Sequence, residues 1–350
     1  GSDTTEDATA TFTDGNYTFK YTNGVKVYTG AFDAKGNSCL KFGTSKVAGS
    51  LSFTVPEDVT SVTLYLAKYK SNASKVTING NGNKLTSTAA RGINVLADVT
   101  IENLTVVASG ERAINVITAP ATLTIDNVTA TAANYTVNVA ASAPAAVVAI
   151  KNSTLNGLCT VNVAAAGTNV TIDNSTVNCN DNNTTAGESY AALCLNKAAV
   201  GASIVATNTT VNVAAGSDSE KGRNGAENGT VTINGSTEGV TVTVAVITYP
   251  GSDNYHGFTS LADAIEFAKA GDVVTLIRNA TGAGVVINKN LTIDFNNKTY
   301  SFTEGVGSTG TPSNGFQILK GNNVTLKNGT LTSEGDKVKM LINNYTNLTV

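Results

Sequence analysis

The chain has 350 residues, a formal charge of −3 and only 14% charged residues. It carries no basic stripe, so nucleic acid and anionic membrane surfaces are excluded as partners on electrostatic grounds. No apolar run approaches the roughly 18 residues of a spanning helix, and abundant Gly, Asn, Thr and Val with no Trp point to an all-β chain with room for two or three domains and little helix.

Gly1-Ser2 reads as a cloning remnant and the polar run Asp3 to Asp7 as a tether left after a signal peptide is removed. Residues 1–7 are therefore taken as tag and tether of an exported, extracellular or cell-surface protein. Residues 8–75 hold ten of the 21 aromatic residues, between Phe12 and Tyr69, whereas 70–248 contain only Tyr135 and Tyr190. This shift marks a domain boundary. Alternating segments at Tyr17 to Tyr21, Ser50 to Val55 and Ser61 to Leu66, separated by Asn23-Gly24 and Pro56-Glu57-Asp58, predict an antiparallel β-sandwich-like module. Such a module also suits the cap of a solenoid, whose open end exposes unpaired strand edges.

Residues 76–246 repeat. Val99-Thr-Ile-Glu-Asn103, Leu123-Thr-Ile-Asp-Asn127, Val148-Ala-Ile-Lys-Asn152 and Val170-Thr-Ile-Asp-Asn174 place Asn at one offset from a short apolar strand, at spacings of 24, 25 and 22 residues. A second register, centred on Asn94, Asn115, Asn138 and Asn162, advances by 21, 23 and 24. Two phased repeats of this period predict a solenoid, because one repeat cannot bury its apolar face alone. Coils pair about 4.8 Å apart, so each recurring Asn forms a column in which one amide bonds the next. The anchors Ile78, Ile101, Ile125, Ile150, Ile172, Ala206 and Ile233 imply seven coils. The step from 172 to 206 is 34 residues, and the excess is the polar insertion from Asn180 to Ser189. A second insertion is expected from Gly216 to Asn228, on the same side of the following coil.

Residues 247–350 begin a second solenoid. Ser260 to Asp272 has apolar residues at 261, 264, 265 and 268 behind a Ser N-cap and predicts a short amphipathic helix that caps the first coil. The strands Asp272 to Ile277 and Asn290 to Phe295 follow, Val324 to Asn328 renews the ladder, and Leu348-Thr-Val350 matches Val324 to Leu326. The chain is therefore expected to be truncated inside a strand, with a longer protein in the cell.

The strand-Asn-strand pattern resembles the asparagine ladder of right-handed parallel β-helices, the pectate-lyase-like superfamily, over roughly residues 76–246 and 257–350. The resemblance implies the fold and is nearly silent on activity, since that superfamily includes lyases, glycoside hydrolases, phage tailspikes and adhesins. Its lyases hold Ca²⁺ with carboxylates and use a basic residue on or beside a sheet face. With only Arg91, Arg112, Arg223 and Arg278 in the chain that set does not map.

The outward column Thr77, Thr100, Thr124, Ala149, Thr171, Val205 and Thr232 carries no acid and no base. The next column, Glu102, Asp126, Lys151 and Asp173, spaces carboxylates as a retaining glycosidase does, but the intervening Lys151 favours a solvated ladder of alternating charge. His256 reads as a surface residue. Gly80-Asn-Gly82 is a turn, because no Lys-Ser/Thr helix follows it. Asn-X-Thr triplets follow from ladder Asn preceding strand Thr. Aligning Leu158-Cys159-Thr160 with Leu193-Cys194-Leu195 puts Cys159 and Cys194 in one column, as either a buried free pair or a disulfide. Cys39 and Cys179 have no evident mates.

Binding groups are expected on the two insertions: Asp181, Asn182, Asn183, Glu188, Asp218, Glu220 and Arg223. Asp181, Asn182, Glu188, Asp218 and Glu220 also supply hard oxygens for Ca²⁺, although no spacing fixes them; otherwise no cofactor is expected. The expected function is a non-enzymatic, monomeric adhesin-like or stalk protein that presents these loops to a glycan or a surface protein. The alternatives are a polysaccharide-active enzyme with part of its site in further coils, and an ice-binding Thr array, which Ala149 and Val205 interrupt.

Overall fold

The computed structural model describes residues 10–14, 17–21, 28–32, 38–41, 51–53, 76–184, 190–248, 255–307 and 312–350. Among the described residues nearly all regular structure is strand, with one short helix, so the packed surfaces are almost entirely sheet faces. The chain divides into two compact units, Gly1–Ser74 and Lys75–Val350.

In the first unit Ala10–Asp14, Tyr17–Tyr21 and Leu51–Phe53 form an antiparallel sheet, and Tyr28–Phe32 pairs antiparallel with Ser38–Lys41. The strand expected from Ser61 to Leu66 lies outside the described residues, as do residues 1–7.

The second unit is a nearly closed, solenoid-like stack of parallel sheets. Ile78, Ile101, Ile125, Ile150, Ile172, Ala206 and Ile233 fall in one unbroken register across seven strands. From Ile101 to Ala206 these residues are fully buried, each large side chain contributing about 1.5–3 kcal/mol of transfer free energy. A second sheet stacks Arg91–Val95, Arg112–Val116, Tyr135–Val139, Val161–Val163, Ala191–Leu195, Glu220–Asn224 and Val240–Val242.

The asparagine at the fixed offset does more than form a ladder. Asn103, Asn127, Asn152, Asn174 and Asn208 all have φ between 46° and 52°. In Val99–Ala108 the inward residues are Val99 and Ile101 before Asn103 but Leu104, Val106 and Ala108 after it. One left-handed residue thus reverses the inside-outside alternation and turns the strand around a corner. Asn adopts this conformation at lower cost than almost any residue with a Cβ.

The two ladders differ in environment. The corner column is largely exposed: Asn127 donates to Asn103 Oδ1 and Asn174 to Asn152 Oδ1, both at 2.8 Å, with Asn127, Asn152 and Asn174 open to solvent. The corner conformation faces these amides outward, so this column runs along the surface of the stack. In the second register Asn115 donates to Asn94 Oδ1 at 3.0 Å, and Asn138 to Asn115 and Asn162 to Asn138 at 2.8 Å. Asn115, Asn138 and Asn162 are buried, while Asn94 is exposed.

A second core begins at Val244. The strand Ala245–Thr248 pairs antiparallel with Tyr255–Phe258 and Val273–Leu276, after which Leu291–Glu304, Asn323–Ser333 and Asn347–Thr349 continue in parallel. The helix spans Leu261–Phe267; the Ser260 side chain accepts the Asp263 N–H, and Leu261, Ala264 and Ile265 are buried. Tyr300, Phe302 and Phe316 fill the centre, with Phe302 edge-on to the other two rings at 5.2 and 5.1 Å. His256 is buried, not on the surface, because alternation in Tyr255–Phe258 turns it inward. Its ring lies 4.6 Å from that of Phe267.

Candidate functional site

The 34-residue step leaves the stack undisturbed. Asn212 donates to Asn178 Oδ1 at 2.8 Å across it, and Asn178 donates to Asn156 Oδ1 at 2.8 Å. These residues form a third ladder that the sequence reading missed. Its signal was present in Thr154-Leu-Asn156, Thr176-Val-Asn178 and Thr210-Val-Asn212, which keep the same spacings as the anchors.

The first insertion leaves the stack after Thr176–Cys179 and returns at Ala191–Leu195. Asp181 closes it. Its Oδ1 accepts the Asn183 N–H at 3.0 Å, and its Oδ2 accepts the Tyr190 N–H at 2.8 Å and the Ser219 hydroxyl at 3.1 Å. The Ser219 hydroxyl also reaches the Asp181 carbonyl at 3.0 Å, and the Asp218 N–H donates to the Asn183 carbonyl at 3.0 Å. Asp181 is buried and its carboxylate is saturated by protein donors, so it organises the loop rather than offering itself to a ligand. Asn182 and Asp218 are exposed on the loops it joins.

The second insertion is shorter than expected. Glu220–Asn224 is a regular strand paired with Ala191–Leu195 and Val240–Val242. The polar run Glu-Lys-Gly-Arg-Asn reads as a loop, yet ladder pairing uses only backbone, and Gly222 and Asn224 suffice for its buried positions. Only the segment between Val213 and Glu220 protrudes. Arg223 Nε and Glu220 Oε2 form an ion pair at 2.7 Å. Burial opposes the Arg223 charge and Glu220 outweighs it, holding the guanidinium above its ordinary value. The structure thus brings Asp181, Asn182, Asn183 and Asp218 to one edge and places Glu220 and Arg223 in the strand that follows. Glu188 lies outside the described residues. Among the described residues no three His, Cys, Asp or Glu side chains gather as metal ligands.

The acidic column is consumed by the corners. Glu102 accepts the Asn79 amide at 2.8 Å, Asp126 the Asn152 amide at 2.7 Å and Asp173 the Asn208 amide at 2.9 Å. Lys151 pairs in register between Asp126 and Asp173. Hydrogen bonds from Asn208 and Thr207 hold the Asp173 carboxyl below its ordinary value, opposite to what a general acid requires. In the Thr column Thr77 and Thr171 are exposed, but Thr100 is buried and Thr124 half-buried.

Cys159, Cys179 and Cys194 are free thiols. Cys194 registers with Asn162 rather than with Cys159; the alignment misplaces it by three positions because Cys159 precedes its strand. Cys159 Sγ lies 3.9 Å from Asn162 Oδ1. The Cys194 contact and burial push the Cys159 thiol up, while the Cys159 contact and Arg223 pull Cys194 down against burial.

Comparison of the chain with protein-family models, with curated proteins and with solved structures gave no match.

Proposed function

We propose that this chain is a secreted or cell-surface β-helix of the right-handed, pectate-lyase-like kind, an adhesin-like or stalk protein of bacterial origin. In this reading it acts as a monomer and presents its insertions to a glycan or a surface protein. One observation carries the reading: Asp181 and Ser219 fasten two loops from successive coils into a single edge, on a body whose recurring asparagines are largely engaged in ladders. Regular faces of Thr, Ala and Val offer few side chains to grip a specific partner, whereas pre-ordered loops bind without a large ordering cost. A polysaccharide-active enzyme draws no support from the acidic column, whose carboxylates accept hydrogen bonds from asparagine side chains of neighbouring coils.

The test is a glycan-array and cell-adhesion comparison of the native chain with the Asn182→Ala/Asp218→Ala variant. Loss of signal with an unchanged unfolding midpoint is expected. A signal that survives moves the site elsewhere, first to the aromatic N-terminal module, where Tyr17, Tyr21 and Tyr28 are candidates for stacking on sugars.

A further inference from the structure

Where the first core gives way to the second, the last left-handed asparagine of the column bonds to backbone and not to a side chain of the neighbouring coil. Asn234, at φ 51°, turns both ends of its amide to the backbone of Thr209, at 3.0 Å each. Two other left-handed asparagines stand at this junction, Asn228 at φ 53° and Asn297 at φ 59°. Among the described residues neither side chain has a hydrogen-bond partner. Asn279 accepts the Thr299 N–H at 2.9 Å and leaves its NH₂ unused. These three residues, all exposed, line with Glu227, Arg278 and Lys298 an open cleft of about 380 Å³.

The charges in the cleft do not cancel. Lys298 Nζ and Glu227 Oε1 pair at 2.6 Å. Arg278 donates Nη2 to the carbonyls of Asn224 and Ala226 at 3.1 and 2.8 Å, and both acceptors are neutral. Its Nε is buried without a partner. Glu227 acts on Arg278 as well as on Lys298, but one carboxylate against two cations leaves a net positive charge, which a single carboxylate matches and a phosphate dianion exceeds. No apolar side chain lines the cleft, so an apolar ligand gains nothing there. The idle amides supply donors and acceptors suited to hydroxyl groups.

We infer that the junction cleft of Asn228, Arg278, Asn279, Asn297 and Lys298 binds a small hydroxy-carboxylate. This chemistry occurs in free sugar acids and in the terminal carboxylated sugar of a glycan. The site shares no residue with the loop edge that Asp181 and Ser219 fasten, and its existence does not depend on what that edge binds.

Calorimetric titration of the full chain with gluconate, methyl glucuronide, glucose, acetate and inorganic phosphate tests it. Gluconate, the glucuronide or both bind at least about tenfold more tightly than glucose or acetate; preference for gluconate identifies a free acid and preference for the glucuronide a glycan end. Equal binding of glucose, tighter binding of phosphate, or no binding of either hydroxy-carboxylate overturns the inference. The Asn228→Gly/Asn297→Gly variant keeps both left-handed backbones, which glycine accepts freely. It is expected to weaken binding about tenfold at an unchanged unfolding midpoint, two neutral hydrogen bonds being lost. Unchanged affinity in that variant also refutes the site.

Discussion

Replacing Asn138 by Ala should be among the most damaging single changes in the solenoid, and the reason lies in its two neighbours. Asn138 donates to Asn115 Oδ1 and accepts from Asn162 Nδ2, both at 2.8 Å, and is 3% exposed. The substitution orphans an acceptor above and a donor below, each worth about 1–3 kcal/mol when buried. Asn115 Oδ1 keeps a long contact to Arg112 at 3.4 Å, so we expect a total of about 2–4 kcal/mol. Asn127 is different, since it is exposed and its φ is 52°. For Asn127→Ala the expected loss is about 1–2 kcal/mol, mostly because Ala lacks the short polar side chain that lets Asn tolerate the left-handed region. Asn127→Gly removes the same amide but relieves the backbone and should cost about 0.5 kcal/mol or less. Thr124→Ala, at a half-buried position, should likewise fall near 0.5 kcal/mol. Urea midpoints at a common slope measure the series. If Asn127→Gly costs as much as Asn127→Ala, the amide and not the corner explains the recurring Asn. If Asn138→Ala groups with Thr124→Ala, the buried ladder contributes nothing to stability.

The Asp173 carboxyl is held below its ordinary value by Asn208 and Thr207; partial burial raises that of Asp294, but the Asn296 N–H and the Asn328 and Lys327 side chains outweigh it. Depressed carboxyls stabilise the fold above their unfolded value of about 3.9, so the unfolding midpoint should fall with pH only below about pH 4, and less steeply in Asp173→Asn. Alkylation followed by peptide mass mapping should modify Cys194 before Cys159 or Cys179; modification of Cys159 first would contradict the direction of their shifts. A chain ending at Thr243 should still unfold cooperatively, because the first core closes at Val240 and Ala245 already belongs to the second; a non-cooperative transition would mean that the Arg278 and Lys298 ties are indispensable. Asp181→Ala strips acceptors from the Asn183 and Tyr190 N–H groups and from Ser219, so it should cost about 2–3 kcal/mol where Asp218→Ala costs almost nothing. Equal midpoints would remove Asp181 from its organising role.

The coil stack was legible because it is periodic: seven anchors, with five of their six steps between 22 and 27 residues, could only bury their faces by stacking, and the register confirms each one. The helix was legible from Ser260 and four apolar positions. What escaped was whatever depends on orientation rather than spacing. Nothing in the sequence distinguishes an Asn needed for its left-handed backbone, such as Asn127, from one needed for a buried amide, such as Asn138. Glu220–Asn224 escaped because its strand is held by backbone pairing with few apolar side chains. Asp181 read as a ligand because an acid on a loop looks alike whether it faces solvent or the loop's own N–H groups. The cleft at Arg278 joins residues 50 to 70 positions apart in sequence, a separation that no local pattern reports.

A solenoid whose amides satisfy one another has little left to offer a ligand, so binding capacity should concentrate where the pattern breaks. The two breaks differ in kind. At the insertion the third ladder crosses the long step intact, Asn212 to Asn178, and the loops bulge from an undisturbed stack; their exposed side chains can change with little effect on stability. At the junction the polar groups divide into two sets. Arg278 with the Asn224 and Ala226 carbonyls, and Lys298 with Glu227, tie one core to the other, whereas among the described residues the Asn228 and Asn297 side chains have no hydrogen-bond partner. Changes in the first set should alter stability and binding together, and changes in the second should alter binding alone. That separation is what distinguishes a cleft kept for a ligand from one that is only the seam between two cores.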